Sequence, residues 1–214
     1  MTRILVVDDH PIVRRGLKQI LCDDSTISWV GEASNTEEAV RQMAENHWDV
    51  VVMDITMPGK SGLELLREIK ESFPKLPVLV LSIHPEEQYG KRVLKAGASG
   101  YLNKESAPEE LVQAVRRILR GGKYISPALA ERLAGDLEHP SDEPLYERLS
   151  DREYDVVSKT VQGKTLKEIS FELGLSSKTI STYRMRALRK LGMKNTTELI
   201  RYAVQQQQAE TLIH

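Results

Sequence analysis

The feature that most narrows what this chain can fold into is an alternation. Ile4 to Val7, Trp29 to Ala33, Val50 to Met53, Val78 to Leu81 and Gly100 to Leu102 are short, largely apolar runs, and longer amphipathic stretches separate them. Runs of that length read as strands and the stretches between them as helices. Five strand and helix units in succession need crossover connections, so the strands run parallel and helices cover both faces of the sheet. Residues 1–123 are therefore predicted to form a doubly wound α/β domain on a five-stranded parallel sheet. In such a sheet, ligands bind outside the carboxyl ends of the strands.

Five side chains fall at that edge. Asp8 and Asp9 follow the first strand, Asp54 the third and Lys104 the fifth, and Ser82 ends the fourth. Three carboxylates beside one ammonium make an oxygen-rich site that suits Mg²⁺, which prefers carboxylate, carbonyl and water ligands. A cation there keeps the acids ionised despite their mutual repulsion. With the cation and Lys104 offsetting phosphoryl charge, a carboxylate can act as a nucleophile and become an acyl phosphate, while a Ser82 hydroxyl bonds a phosphoryl oxygen. Taken singly, each residue has a plainer reading: an Asp pair caps the next helix, a lone Lys is solvated, Ser82 ends a strand and Tyr101 fills a core. His10 does not read as a metal ligand, because no second His or Cys stands at ligand spacing.

Beyond residue 123 the pattern changes. Residues 124–147 hold a short helix after Ser126-Pro127 and then two prolines among charges, and are read as a linker. Residues 148–214 are helical in pattern. Ser150-Asp151-Arg152-Glu153 and Thr165-Leu166-Lys167-Glu168 are capping boxes, Gly163 and Gly174 are stops, Ser176 opens a third helix, and Thr196 or Thr197 opens a fourth reaching Gln205 to Gln208. This smaller all-α arrangement of four helices suits a DNA-binding unit.

The chain carries 30 basic and 31 acidic residues, but unevenly. Residues 148–214 hold twelve basic against seven acidic, and 178–194 contain Lys178, Arg184, Arg186, Arg189, Lys190 and Lys194 with no acid. A solvated helix face would mix both signs, so a polyanion is the expected partner. On a wheel from Ile180, the residues Ile180, Tyr183, Ala187, Leu188 and Leu191 share one side, while Lys178, Thr182, Met185, Arg186 and Arg189 share the other. A helix of that kind after a short helix and a glycine turn suits the major groove of double-stranded DNA. Lys178, Ser181, Thr182 and Met185 are assigned as base readers, and Arg184, Arg186, Arg189 and Lys190 mainly as phosphate contacts. No apolar run reaches the length of a membrane helix, and the start of the chain does not read as a signal peptide. A lone Cys22, read as a buried helix residue, agrees with a reducing compartment. A cytoplasmic protein without a membrane partner is expected.

The motifs Val6-Val7-Asp8-Asp9-His10-Pro11, Met53-Asp54-Ile55-Thr56-Met57-Pro58-Gly59, Ser82, Gly97-Ala98-Ser99-Gly100-Tyr101 and Lys104 resemble, in order and spacing, the flavodoxin-like receiver domain of two-component response regulators. Leu149-Ser150-Asp151-Arg152-Glu153, the stretch from Gly163 to Ile169, Ser176 to Arg184 and Arg189-Lys190-Leu191-Gly192 resemble the LuxR-type helix-turn-helix. Together they are similar to the NarL/FixJ class. The resemblance implies that Asp54 accepts phosphate from a sensor histidine kinase. It also implies that Asp9, Asp54 and the backbone carbonyl of Thr56 hold Mg²⁺ with help from Asp8, that Lys104 contacts the phosphate, and that Ser82 and Tyr101 form a switch pair. Glu105 stands where proline commonly follows the lysine, which puts a cis peptide there in doubt. Met185 replaces a lysine found in other members and suggests an apolar contact, such as a thymine methyl.

The expected function is a phosphorylation-controlled transcription regulator that binds promoter DNA as a homodimer and has no enzymatic role beyond metal-dependent self-phosphorylation and dephosphorylation at Asp54. A Mg²⁺-dependent phosphatase is the rival enzyme reading. It calls for a second acid two residues after the nucleophile, where Thr56 stands, and for a cap domain. A receiver that takes no phosphate and acts through concentration or a protein partner is the other rival.

Overall fold

The computed structural model describes residues 2–57, 61–84, 86–138 and 145–212, and divides into two compact units, Met1–Pro140 and Ser141–His214. In the first, β1 (Thr2–Val7), α1 (Pro11–Cys22), β2 (Ile27–Ala33), α2 (Thr36–Glu45), β3 (Val50–Asp54), α3 (Gly62–Ser72), β4 (Val78–Ser82), α4 (Glu86–Lys95), β5 (Gly100–Asn103) and α5 (Ala107–Leu119) alternate as expected. The sheet order is β2-β1-β3-β4-β5 and every pairing is parallel. All five residues of β3 and of β4 are buried, which is why those runs show no polar alternation: helices cover both sides. One core joins Ile4, Val52 and Leu81 of the sheet to Leu17 and Leu21 of α1 and to Leu111 and Val115 of α5. The reversal of strand order between β1 and β3 opens the crevice in which Asp8 and Asp54 meet.

Three local expectations need revision. Cys22 is exposed, not buried: α1 buries Leu17 and Leu21, and one further step of about 100° turns position 22 off that face. The fourth helix of the second unit, α10 (Thr196–Leu212), is capped by Asn195, whose Oδ1 accepts from Glu198 N at 3.0 Å, so neither Thr196 nor Thr197 serves as its cap. The stretch read as a linker contains α6 (Pro127–Glu138), a full three turns that pack on α4 within the first unit. Residues 139–144, with the two prolines, lie outside the described residues. Just before α6, Tyr124 pairs in parallel with Gly100 and so extends the sheet beyond β5 by one bridge.

In the second unit, α7 (Asp151–Val161), α8 (Leu166–Leu173), α9 (Ser177–Lys190) and α10 follow a 3-10 turn at Leu145–Arg148. Both expected capping boxes form, at Ser150 with Glu153 and at Thr165 with Glu168. Gly174 closes α8 with φ +62, a left-handed conformation that costs glycine little, and Ser176 Oγ then caps α9 by accepting from Thr179 N at 3.1 Å. Val156, Ile169, Leu173 and Ile180 form the core that joins α7, α8 and α9.

Candidate functional site

The carboxyl edge of the sheet brings the expected acids together. Asp8 is fully buried and Asp54 is 2% exposed, because each ends or directly follows a central strand under covering helices. Lys104, just past β5, reaches across to both: its Nζ donates to Asp8 Oδ2 at 2.7 Å and to Asp54 Oδ2 at 2.6 Å. The backbone N–H of Thr56 donates to Asp54 Oδ1 at 2.8 Å, which fixes the carboxylate plane and the start of the following loop. Arg14 of α1 donates to the Asp8 carbonyl at 2.7 Å and so ties the first turn of that helix to the end of β1.

The electrostatics follow from depth. Burial pushes the Asp54 carboxyl up to about 6, against the pull of the Lys104 ammonium and the Thr56 N–H, and the neighbouring Asp8 adds to the rise. Burial also works against the charged form of Lys104, but Asp54 and Asp8 outweigh it and hold the ammonium above the ordinary lysine value.

Ligand atoms of Asp8, Asp9, His10 and Asp54 all lie within 4.8 Å of one another. An oxygen-dominated set of that size fits a hard divalent cation, and Asp9 Oδ1 is buried and makes no hydrogen bond, with the His10 ring as its nearby charge partner. His10, discounted from its spacing alone, stands with the acids: its Nδ1 is 3.3 Å from Asp8 Oδ1 and 3.1 Å from Asp9 Oδ1. Its neighbours are the carboxylates next to it in sequence, and no second His or Cys joins this group among the described residues. Ser82 is fully buried and its Oγ accepts from His84 N at 3.0 Å, while the hydroxyl of buried Tyr101 donates to the His84 carbonyl at 2.8 Å. Both hydroxyls of the expected switch pair are thus tied to one residue, His84, that the sequence did not single out. No cis peptide occurs among the described residues, and the bond after Lys104 is trans.

The second unit presents α9 as expected. Ile180 and Ala187 are fully buried and Leu191 is nearly so, while Lys178, Met185, Arg186 and Arg189 are exposed. Ser181, Thr182 and Arg184 are half-buried, and the Thr182 hydroxyl donates to the Lys178 carbonyl at 3.0 Å. Lys190 differs from its neighbours: its Nζ is bound to Glu153 Oε2 at 2.6 Å and fastens the end of α9 to the start of α7. Met185, 69% exposed, carries an apolar side chain among the basic ones.

The family model "Response regulator receiver domain" matches residues 4–116, just over half of the chain. The chain belongs to the response regulators. A second model, "Bacterial regulatory proteins, luxR family", matches residues 147–203 of this response regulator. It is similar to the response regulator UvrY of Escherichia coli (strain K12), 40% identical over 205 residues that span 95% of this chain and 94% of that protein. It is also similar to the response regulator GacA of Pseudomonas protegens, 39% identical with 95% and 96% covered. Among solved structures, RcsB from Salmonella enterica serovar Typhimurium bound to promoter rprA in the presence of phosphomimetic BeF3- aligns with a TM-score of 0.64 at 28% identity, covering 94% of this chain and 98% of that one. Among the described residues, no helix is long and apolar enough to cross a membrane.

Proposed function

We propose that this response regulator is a phosphorylation-controlled, DNA-binding transcription regulator of a two-component system, working in the cytoplasm, with Asp54 as phosphoacceptor and a sensor histidine kinase as donor. The observation that carries the reading is the convergence of Asp8, Asp9, Asp54 and Lys104 on one crevice, in a chain whose other unit presents a basic helix without acids. RcsB bound to promoter DNA with a phosphate mimic supports it by likeness.

In the proposed reaction an Asp54 carboxylate oxygen attacks the phosphorus of a phosphohistidine. The P–N bond breaks, the nitrogen lone pair returns to the imidazole, and an acyl phosphate is left on Asp54. Asp9, Asp54 and the Thr56 carbonyl, with Asp8, would hold Mg²⁺, which supplies charge neutralisation for the phosphoryl oxygens. Lys104, already within 2.6 Å of Asp54, transfers its hydrogen bond from the carboxylate to a phosphoryl oxygen. Thr56 N–H keeps the acceptor carboxylate oriented. Ser82 and Tyr101 then give up their ties to His84 and turn towards the new phosphate. Hydrolysis of the acyl phosphate in the same pocket resets the switch, so the chemistry is self-directed and not turnover on a foreign substrate. The phosphorylated protein pairs into a two-fold dimer whose α9 helices meet two half-sites of promoter DNA.

The test is intact mass after a small-molecule phosphodonor, with and without Mg²⁺, on the wild type and Asp54→Asn, followed by DNA titration of each product. One metal-dependent phosphoryl adduct, absent from the variant and accompanied by tighter DNA binding, is expected. DNA binding with no adduct would sink the phosphate switch and leave a receiver governed by concentration or a partner.

A further inference from the structure

An unbroken series of contacts leads from the crevice to α6. It begins at His84, which holds Ser82 Oγ through its N–H and the Tyr101 hydroxyl through its carbonyl. The buried His84 imidazole stacks on Tyr89 of α4, with ring centroids 4.9 Å apart and planes 23° apart. The next residue, Gly90, has no side chain, and Leu129 of α6 fills the space: a Cβ at position 90 would lie 2.6 Å from Leu129 Cδ2. Leu129 is 4% exposed. A glycine inside a helix costs about 1 kcal/mol relative to alanine. Gly90 therefore weakens α4 taken alone, and what it provides in exchange is a seat for Leu129.

Two further ties hold the same helix. Glu86 Oε1, in the first turn of α4, accepts from Ser126 N at 3.2 Å, and Ser126 Oγ in turn caps α6 by accepting from Leu129 N at 3.1 Å. Upstream, Tyr101 N donates to the Tyr124 carbonyl at 2.9 Å and Tyr124 N donates to the Ser99 carbonyl at 3.0 Å. Tyr101 thus gives its hydroxyl to the switch and its backbone N–H to the segment that enters α6.

We propose that α6 is a strap that reads the switch: while Tyr101 bonds His84, α4 is held by the His84–Tyr89 stack and presents Gly90 to Leu129, and loss of that bond unseats α6. Release would turn the 12 residues of α6 into added tether leading to the second unit, which begins at Ser141. A longer tether widens the range of separations at which two copies can engage one DNA site. The trigger rests on the proposed phosphorylation of Asp54; the seat at Gly90 does not.

Hydrogen exchange by mass spectrometry on the full chain separates the two. One sample is treated with acetyl phosphate and Mg²⁺, and its intact mass is read in parallel. Peptides across 127–138 should exchange about tenfold faster or more once the adduct is present. Gly90→Ala should loosen the same peptides without any phosphodonor, while α4 peptides keep or gain protection because alanine favours the helix. An adduct with unchanged exchange in 127–138 would overturn the strap and leave the phosphorylation reading standing. No adduct removes the trigger and overturns the strap as a reader of phosphate. Unchanged α6 exchange in Gly90→Ala, with α4 still protected, overturns the seat itself.

Discussion

Two aspartates beside cations are driven in opposite directions in this protein, and their surroundings explain why. Asp54 is deep, shares Lys104 with Asp8, and rises to about 6 because burial outweighs its partners. Asp24 accepts two prongs of the Arg116 guanidinium, each at 2.9 Å, together with the N–H and the hydroxyl of Thr26. The Arg116 hydrogen bond is the largest cause that lowers its carboxyl from 3.8 to about 2, followed by the Thr26 N–H. A carboxyl depressed in the folded state contributes stability that is fully present above its unfolded pKa, and that contribution is lost as pH falls through the folded value. Asp24→Asn should therefore be less stable than the wild type at neutral pH, with the gap closing between about pH 4 and pH 2, as read by urea unfolding at a series of pH values. A gap independent of pH would mean that packing, not the charge, is what Asn loses. The crevice acids were legible in the sequence because each follows a strand. The Asp24–Arg116 and Lys190–Glu153 pairs were not, since partners 92 and 37 positions apart leave no mark in the spacing of residues.

At the level of elements, α3 depends on one missing methyl group. Gly62 N donates to the Ile55 carbonyl at 3.2 Å, and a Cβ at position 62 would sit 2.5 Å from both Ile55 Cα and its carbonyl oxygen. Backbone cannot swing aside as a side chain can, so the helix or the loop after Asp54 has to move. Gly62→Ala should cost about 1–3 kcal/mol in urea unfolding, the usual range for overpacking. It should also weaken metal-dependent phosphorylation, because Ile55 adjoins both Asp54 and Thr56. Wild-type stability in this variant would show that the loop yields freely and does not fix Thr56. The strands and most helix ends were legible because apolar runs and capping boxes are side-chain patterns. The Tyr124 bridge was not, because a single backbone pairing at the sheet edge needs no particular side chain. Asn195 was passed over for the adjacent threonines, although asparagine is the stronger N-cap of the two residue types, because three capping residues in a row leave the start of the helix open to one or two positions.

For the whole molecule, the question is how a unit with so modest an excess of positive charge binds DNA only when told to. Lys178, Arg184, Arg186 and Arg189 are the cations α9 offers in one copy, while Lys190 is held by Glu153. Each phosphate neutralised adds about −0.9 to the slope of log K against log salt. Four contacts per copy give a slope of about −3.6, and a dimer on two half-sites about −7. A single copy with so few contacts binds weakly, whereas a dimer on both half-sites binds far more tightly at low salt and loses affinity faster as salt rises. Phosphorylation should therefore steepen the salt dependence along with raising affinity, which fluorescence anisotropy on labelled promoter DNA can follow from low to high salt. Arg186→Ala should flatten the dimer slope by about 2, one contact per copy, whereas Lys190→Ala should leave it unchanged and instead loosen α9 from α7. Equal flattening by both variants would mean that DNA draws Lys190 away from Glu153, so that the salt bridge fastening the recognition helix is exchanged for a phosphate contact on binding.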